Sequence, residues 1–167
     1  VSGVVGLFEG IMAQLTIIVS FQSLILDMAG NVGTQSLAVT IRVLMDATLT
    51  GRQKLELVCK EGRIGLLNGL ILGAASCGVV GLYIMLFKAK TAAFAFGISG
   101  CIGVALLLAM AVSSIVGTCV PLLFKKLGVD PAVASGPLIT TLNDLTAVVA
   151  YYGLAWLLLI NTFGFGA

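Results

Sequence analysis

The sequence predicts an all-α integral membrane protein, and three observations carry that reading. Hydrophobic residues make up 59% of the 167 and charged residues only 10%, whereas soluble domains carry roughly a quarter charged residues. Mean hydropathy is +1.16. The apolar residues fall into long continuous stretches, each reaching the about 20 residues a helix needs to cross the hydrocarbon core. Barrel strands would instead alternate over about ten residues. The net charge of +2 carries no nucleic-acid signal.

Taken in order, residues 1–8 are too short to span. They lack the basic start and small-residue cleavage site of a signal peptide, so they read as the tail of an earlier helix. A second helix is expected over 11–48. Its polar residues Thr16, Ser20, Ser23, Asp27, Asn31 and Gln35 recur every three or four positions and so share one helical face. Within it, Gly30-Asn31-Val32-Gly33 predicts a break that exposes carbonyls, which membrane depth tolerates only where backbone is buried or lines water. Spans at 64–87 and 92–124 are rich in glycine and poor in polar groups. Gly69, Gly73, Cys77 and Gly81 form a small-residue stripe suited to close helix packing, so both spans read as scaffold. Ser113, Ser114 and Thr118 are expected to bond within their own helix. The last span, 131–160, opens with Pro131, with Asp130 as its cap. Pro137, preceded by Gly136, predicts a kink or local unwinding. The four cysteines include no Cys-x-x-Cys pair and read as apolar packing.

Charge placement predicts the topology. Arg42, Arg52, Lys54, Lys60, Arg63, Lys125 and Lys126 fall before the third and fifth spans, against Lys88 and Lys90 between the third and fourth. The excess assigns the 42–63 and 125–130 loops to the cytoplasm and the C-terminus to the outside of a multi-pass cell-membrane protein.

Asp144 is the feature that points to function. It lies in an otherwise apolar run, and no basic residue follows Lys126 to neutralise it. A carboxylate at that depth costs several kcal/mol unless it is protonated or meets a cation in a water-filled path. Gly136, Thr140 and Asp144 share a face at four-residue spacing. Two interrupted helices with inward polar residues are the sequence pointer to an ion site in a transporter. The oxygen-only donor set, with no histidine and no clustered thiols, disfavours zinc and copper. One deep carboxylate per chain suits Mg2+, which retains its waters, better than a dry calcium cage. Two copies about a two-fold axis would let one divalent ion balance two Asp144 carboxylates. Composition alone leaves Mn2+ and Ca2+ open.

The segment Asp27-Met28-Ala29-Gly30-Asn31-Val32-Gly33-Thr34-Gln35-Ser36, running on to Arg42, resembles the second-helix motif of MgtE magnesium channels. Lys60-Glu61-Gly62-Arg63-Ile64-Gly65 resembles the start of their third helix. Asp130-Pro131-Ala132-Val133-Ala134-Ser135-Gly136-Pro137, followed by Thr140-Thr141-Leu142-Asn143-Asp144-Leu145-Thr146, resembles their fifth. The resemblance implies a five-helix bundle, its first helix largely missing here. It also implies a homodimer in the lipid bilayer with a pore at the two-fold axis, lined by the second and fifth helices. Asp144 would bind the partly or fully hydrated Mg2+, with backbone oxygens near Ala29 and Thr140, and Asp130 would stand at the cytoplasmic mouth. Gly136 replaces an asparagine found in some relatives, which removes a side-chain contact. The metal-site residues expected are thus Asp144, Ala29, Thr140, Gly136, Asn143, Asn31, Asp27 and Asp130. No stretch corresponds to the N-terminal domain and paired CBS domains that sense Mg2+ in that family, so closure by them is not implied.

The reading is a transmembrane ion-conducting domain over 1–167, with Mg2+ as transported ion and no catalytic cofactor. The alternative is a Na+- or H+-coupled secondary transporter, either an Mg2+/Na+ exchanger or a small-solute carrier. A solute carrier would need aromatic or cationic substrate contacts, which the polar faces do not supply. An enzyme is not expected: without histidine no serine–histidine pair exists, and no second in-span carboxylate sits opposite Asp144 except Asp27. A purely structural subunit would leave the aligned polar faces unexplained.

Overall fold

The computed structural model describes Gly3, Gly6, residues 16–46 and residues 48–162, with backbone alone at 133–135 and 159–162. The expected helix tail at 1–8 lies outside the described residues, apart from those two glycines. The elements are α1 (Thr16–Val19), α2 (Gln22–Asp46), α3 (Gly51–Phe87), α4 (Ala92–Lys126) and α5 (Pro131–Leu154), which continues as a π-helix over Ala155–Thr162. Among the described residues, Thr16–Asp46, Gly51–Phe87 and Ala92–Lys126 are long and apolar enough to cross a membrane. The chain is an all-helical membrane protein.

The interruption in the second span falls elsewhere than the sequence suggests. Helix α2 runs unbroken through Gly30 and Gly33, and the discontinuity lies at Ser20 and Phe21. There the Phe21 amide reaches back only three residues, to the Ile18 carbonyl at 3.1 Å. That carbonyl also accepts from the Tyr151 hydroxyl of α5 at 2.8 Å, and the Tyr152 hydroxyl donates to Gln22 Oε1 at 2.6 Å. Two tyrosines thus satisfy polar groups where the helix ladder is interrupted. Glycine inside a helix costs about 1 kcal/mol relative to alanine, too little to break one that packs closely against its neighbours. At Gly33 the missing side chain serves that packing, because its carbonyl group lies against Gly117 of α4.

A second correction concerns the charged stretch before the third span. It is the first part of α3, not a loop. Thr50 and Gln53 form a reciprocal capping box, and Arg52 pairs with Glu56 one turn on, at 3.0 Å. At 1.5 Å per residue α3 is about 55 Å long, so its charged N-terminal part extends well past a hydrocarbon core of about 30 Å. The fall in hydropathy marks where the helix leaves the apolar layer, not where it ends.

Helix α4 is the centre of the bundle, packing on α2, α3 and α5. It runs antiparallel to α3, and the glycine stripe sets their approach. A Cβ at Gly73 would stand 2.6 Å from the Gly103 carbonyl oxygen, and one at Gly69 would stand 2.7 Å from Leu107 Cα. At Gly65 the same closeness brings a three-helix node together. Ser114 of α4 donates to the Glu61 carbonyl of α3 and bonds Ser36 of α2 at 2.9 Å. This revises the expected local bonding of Ser114. Thr118 does bond locally, to the Ser114 carbonyl at 3.0 Å, and Ser113 Oγ is buried without a protein partner.

Helix α5 starts as its sequence implies, with Asp130 Oδ1 accepting from the Ala132 amide at 2.9 Å and Pro131 in the first turn. It then continues helically through Pro137. Thr140 and Thr141 donate their hydroxyls to the Gly136 and Pro137 carbonyls at 3.2 and 3.0 Å, which gives backbone oxygens beside the proline an extra donor. Cys101 is buried and Cys77 half-buried, as packing residues, while Cys59 and Cys119 are exposed.

Candidate functional site

The two faces of α2 differ sharply. Ile25, Ala29, Val32, Gly33, Ser36, Thr40 and Leu44 are buried against the bundle. Thr16 of α1, Ser20 of the turn, and Ser23, Asp27, Asn31, Thr34 and Gln35 of α2 are all exposed. An amphipathic membrane helix of this kind turns its apolar side inward to its neighbours and its polar side outward. Lipid cannot satisfy such a stripe, so the face needs water, an ion or another protein surface.

Helix α5 runs antiparallel beside that stripe and completes it. An open groove of about 390 Å³ lies between the two helices. Helix α2 lines it with Ser23, Leu26, Asp27, Gly30, Asn31 and Thr34, and α5 with Thr140 and Asp144. Asn31 Nδ2 donates to Asp27 Oδ2 at 3.5 Å, and the Thr34 hydroxyl contacts the Gly30 and Asn31 carbonyls at 2.9 and 3.0 Å. The groove therefore presents two carboxylates, an amide and three hydroxyls, all hard oxygen or nitrogen donors. No cluster of three or more His, Cys, Asp or Glu occurs among the described residues.

The residues expected to form a metal site are divided by the fold. Asp144, Thr140, Asn31 and Asp27 converge on the groove. Ala29 faces the apolar core, fully buried. Gly136 lies one turn before Thr140 and engages it through its carbonyl. Asn143 is fully buried, its amide lying against Gly33 rather than lining the groove. Asp130 lies in a separate cleft with Lys125 and the end of α2, at Ile41, Leu44 and Met45. Thr34 and Ser23 join the groove as well. Thr34 stands seven positions after Asp27, a two-turn spacing that could have signalled it. The tyrosine contacts to α1 and α2 had no signal in the sequence, since they join residues 133 and 130 positions apart.

Comparison with known proteins bears on the family of the chain. Residues 22–154 match the family described as MgtE, divalent cation transporter. The chain is 38% identical over 148 residues to the magnesium transporter MgtE of Enterococcus faecalis, covering 89% of this chain and 31% of that protein. It is 33% identical over 152 residues to the magnesium transporter MgtE of Bacillus subtilis (91% and 32% covered). To that of Thermus thermophilus it is 34% identical over 155 residues (91% and 32% covered). The chain spans about a third of the length of these relatives. The matched segment contains every element that builds the groove, and the chain belongs to the MgtE family of divalent cation transporters, which are not enzymes.

Proposed function

We propose that this chain is the ion-conducting membrane part of a Mg2+ transporter, with the cation moving along the α2–α5 groove and Asp144 as its central binding residue. One observation carries the proposal: the polar face of α2 and the Thr140–Asp144 face of α5 meet in a single groove that is open in the protomer. Six waters at about 30 Å³ each occupy about 180 Å³, so a hydrated octahedral Mg2+ fits a groove of this size. Its relatives' names supply the ion, and Mn2+ and Ca2+ share its preference for oxygen ligands.

A second copy across a two-fold axis would cover the exposed stripe and add its own Asp144, so that one divalent cation balances two carboxylates. The uncovered α2 face supports that homodimer, because bare lipid cannot hydrogen-bond it. The end of α2 meets the end of α4 and the start of α5 in the Asp130 cleft, and Arg42, Arg52, Lys54, Lys125 and Lys126 belong to the helix ends on that side. By the excess of basic residues that end faces the cytoplasm, which puts Asp130 at the inner mouth of the path and the C-terminus outside.

The test is Mg2+ uptake into vesicles by wild type and Asp144→Ala, with and without opposed Na+ gradients. Loss of flux in the variant at equal incorporation is the expected result. Full flux in Asp144→Ala would overturn the mechanism. A dependence on the Na+ gradient would identify exchange instead of passive conduction.

A further inference from the structure

Beside the groove lies a contact that the ion path itself does not use. Asn143 is fully buried, and neither its Nδ2 nor its Oδ1 has a hydrogen-bond partner in the protein. Its side chain occupies the place where a side chain of residue 33 would stand. A Cβ at Gly33 would be 2.8 Å from Asn143 Cγ and 3.0 Å from Oδ1, closer than packed atoms approach. On the other side, a Cβ at Gly117 would be 3.0 Å from the Gly33 carbonyl carbon. Helices α5, α2 and α4 are therefore stacked at this level through two glycines, with the Asn143 amide as the spacer between α5 and α2.

We infer that Asn143 is a positioning residue for cation selection: seated on Gly33, it sets the separation between Asp144 and the polar face of α2. The inference rests on the reading of the groove as the ion path. Asn143 directly precedes Asp144, and Gly33 lies between the groove residues Asn31 and Thr34. Contact and groove thus share one turn of each helix, and a change of spacing at one passes to the other with no flexible segment between. Mg2+ holds its waters at about 2.0–2.1 Å and Ca2+ holds oxygen ligands at about 2.3–2.6 Å, so the two hydrated ions differ in size by a few tenths of an ångström and the width of a fixed groove discriminates between them. The amide acts here by its shape, since it lies against Gly33 and not in the groove.

The experiment measures uptake of Mg2+ and of Ca2+ into vesicles by the full chain, at matched incorporation, for wild type, Gly33→Ala, Asn143→Leu, Asn143→Ala and Gly33→Ala/Asn143→Ala, with Asp144→Ala as control. Gly33→Ala should raise half-saturating Mg2+ about tenfold and erode Mg2+ over Ca2+ discrimination, because the added methyl drives α5 from α2. The double variant should recover both values to within about threefold of wild type, since removing the amide makes room for the methyl. Asn143→Leu, which keeps the spacer's shape, should retain selectivity, and Asn143→Ala alone should lose part of it. The inference is overturned if Gly33→Ala changes only the amount of folded protein, if the double variant fails to recover, or if Asn143→Leu abolishes flux and so reveals the amide as a ligand. In each of these cases loss of flux in Asp144→Ala would still support the groove as the path. Retained flux there would instead overturn the path itself.

Discussion

The node at Ser36, Ser114 and Glu61 makes a prediction that depends on which hydroxyl donates to which. A carbonyl only accepts, so Ser114 spends its one proton on the Glu61 carbonyl, and Ser36 must donate to Ser114 Oγ. Both serines are buried, at 0% and 2% exposure. Replacing Ser36 by alanine deletes one donor and leaves Ser114 bonded. The expected loss is about 0.6 kcal/mol, the average for interhelical hydrogen bonds in a membrane. Replacing Ser114 deletes both bonds and leaves the buried Ser36 hydroxyl without that partner, for an expected loss of about 1–2 kcal/mol. In the double variant no hydroxyl is orphaned, so it should be no less stable than Ser114→Ala. The coupling is then about 0.6 kcal/mol or more. Reversible unfolding of the four proteins in mixed micelles measures the cycle. Equal losses for the two single variants, or strict additivity, would refute the assigned direction of donation and the node as a unit.

Two further outcomes follow from the packing. Gly73→Ala should destabilise by about 1–3 kcal/mol, because its methyl meets the Gly103 backbone, which cannot rotate away. Gly78→Ala on the same helix has open space around its Cβ and should be neutral or stabilising by up to about 1 kcal/mol in the same micelle assay. Tyr151→Phe removes the hydroxyl bonded to the Ile18 carbonyl and should cost about 1 kcal/mol. Hydrogen exchange should then speed up at residues 16–22 and stay unchanged in α3, whereas a uniform increase would contradict a local role.

Much was legible because membrane helices announce themselves. The apolar runs located the spans, the polar residues at three- and four-residue spacing gave the exposed face of α2, and Asp130 with Pro131 marked the start of α5. Two errors share one cause. The glycines at 30 and 33 suggested a break, and the charges at 52–63 suggested a loop, because local composition reports on surroundings as well as on backbone. Gly33 is instead the close-approach point for Asn143 and Gly117, and the charges ride on a helix extending beyond the lipid.

By itself the sequence determined a helical membrane protein with oxygen-bearing polar faces, since burial of backbone in helices and the cost of a charge in hydrocarbon are properties of single segments. Tertiary structure decided which polar residues share the groove. It joined Asp144 and Thr140 to Asp27, Asn31 and Thr34, turned Ala29 into the core, and seated Asn143 on Gly33. Those assignments depend on how closely three helices approach and at what rotation. That is set by contacts between residues about 80 to 130 positions apart, which no local pattern records.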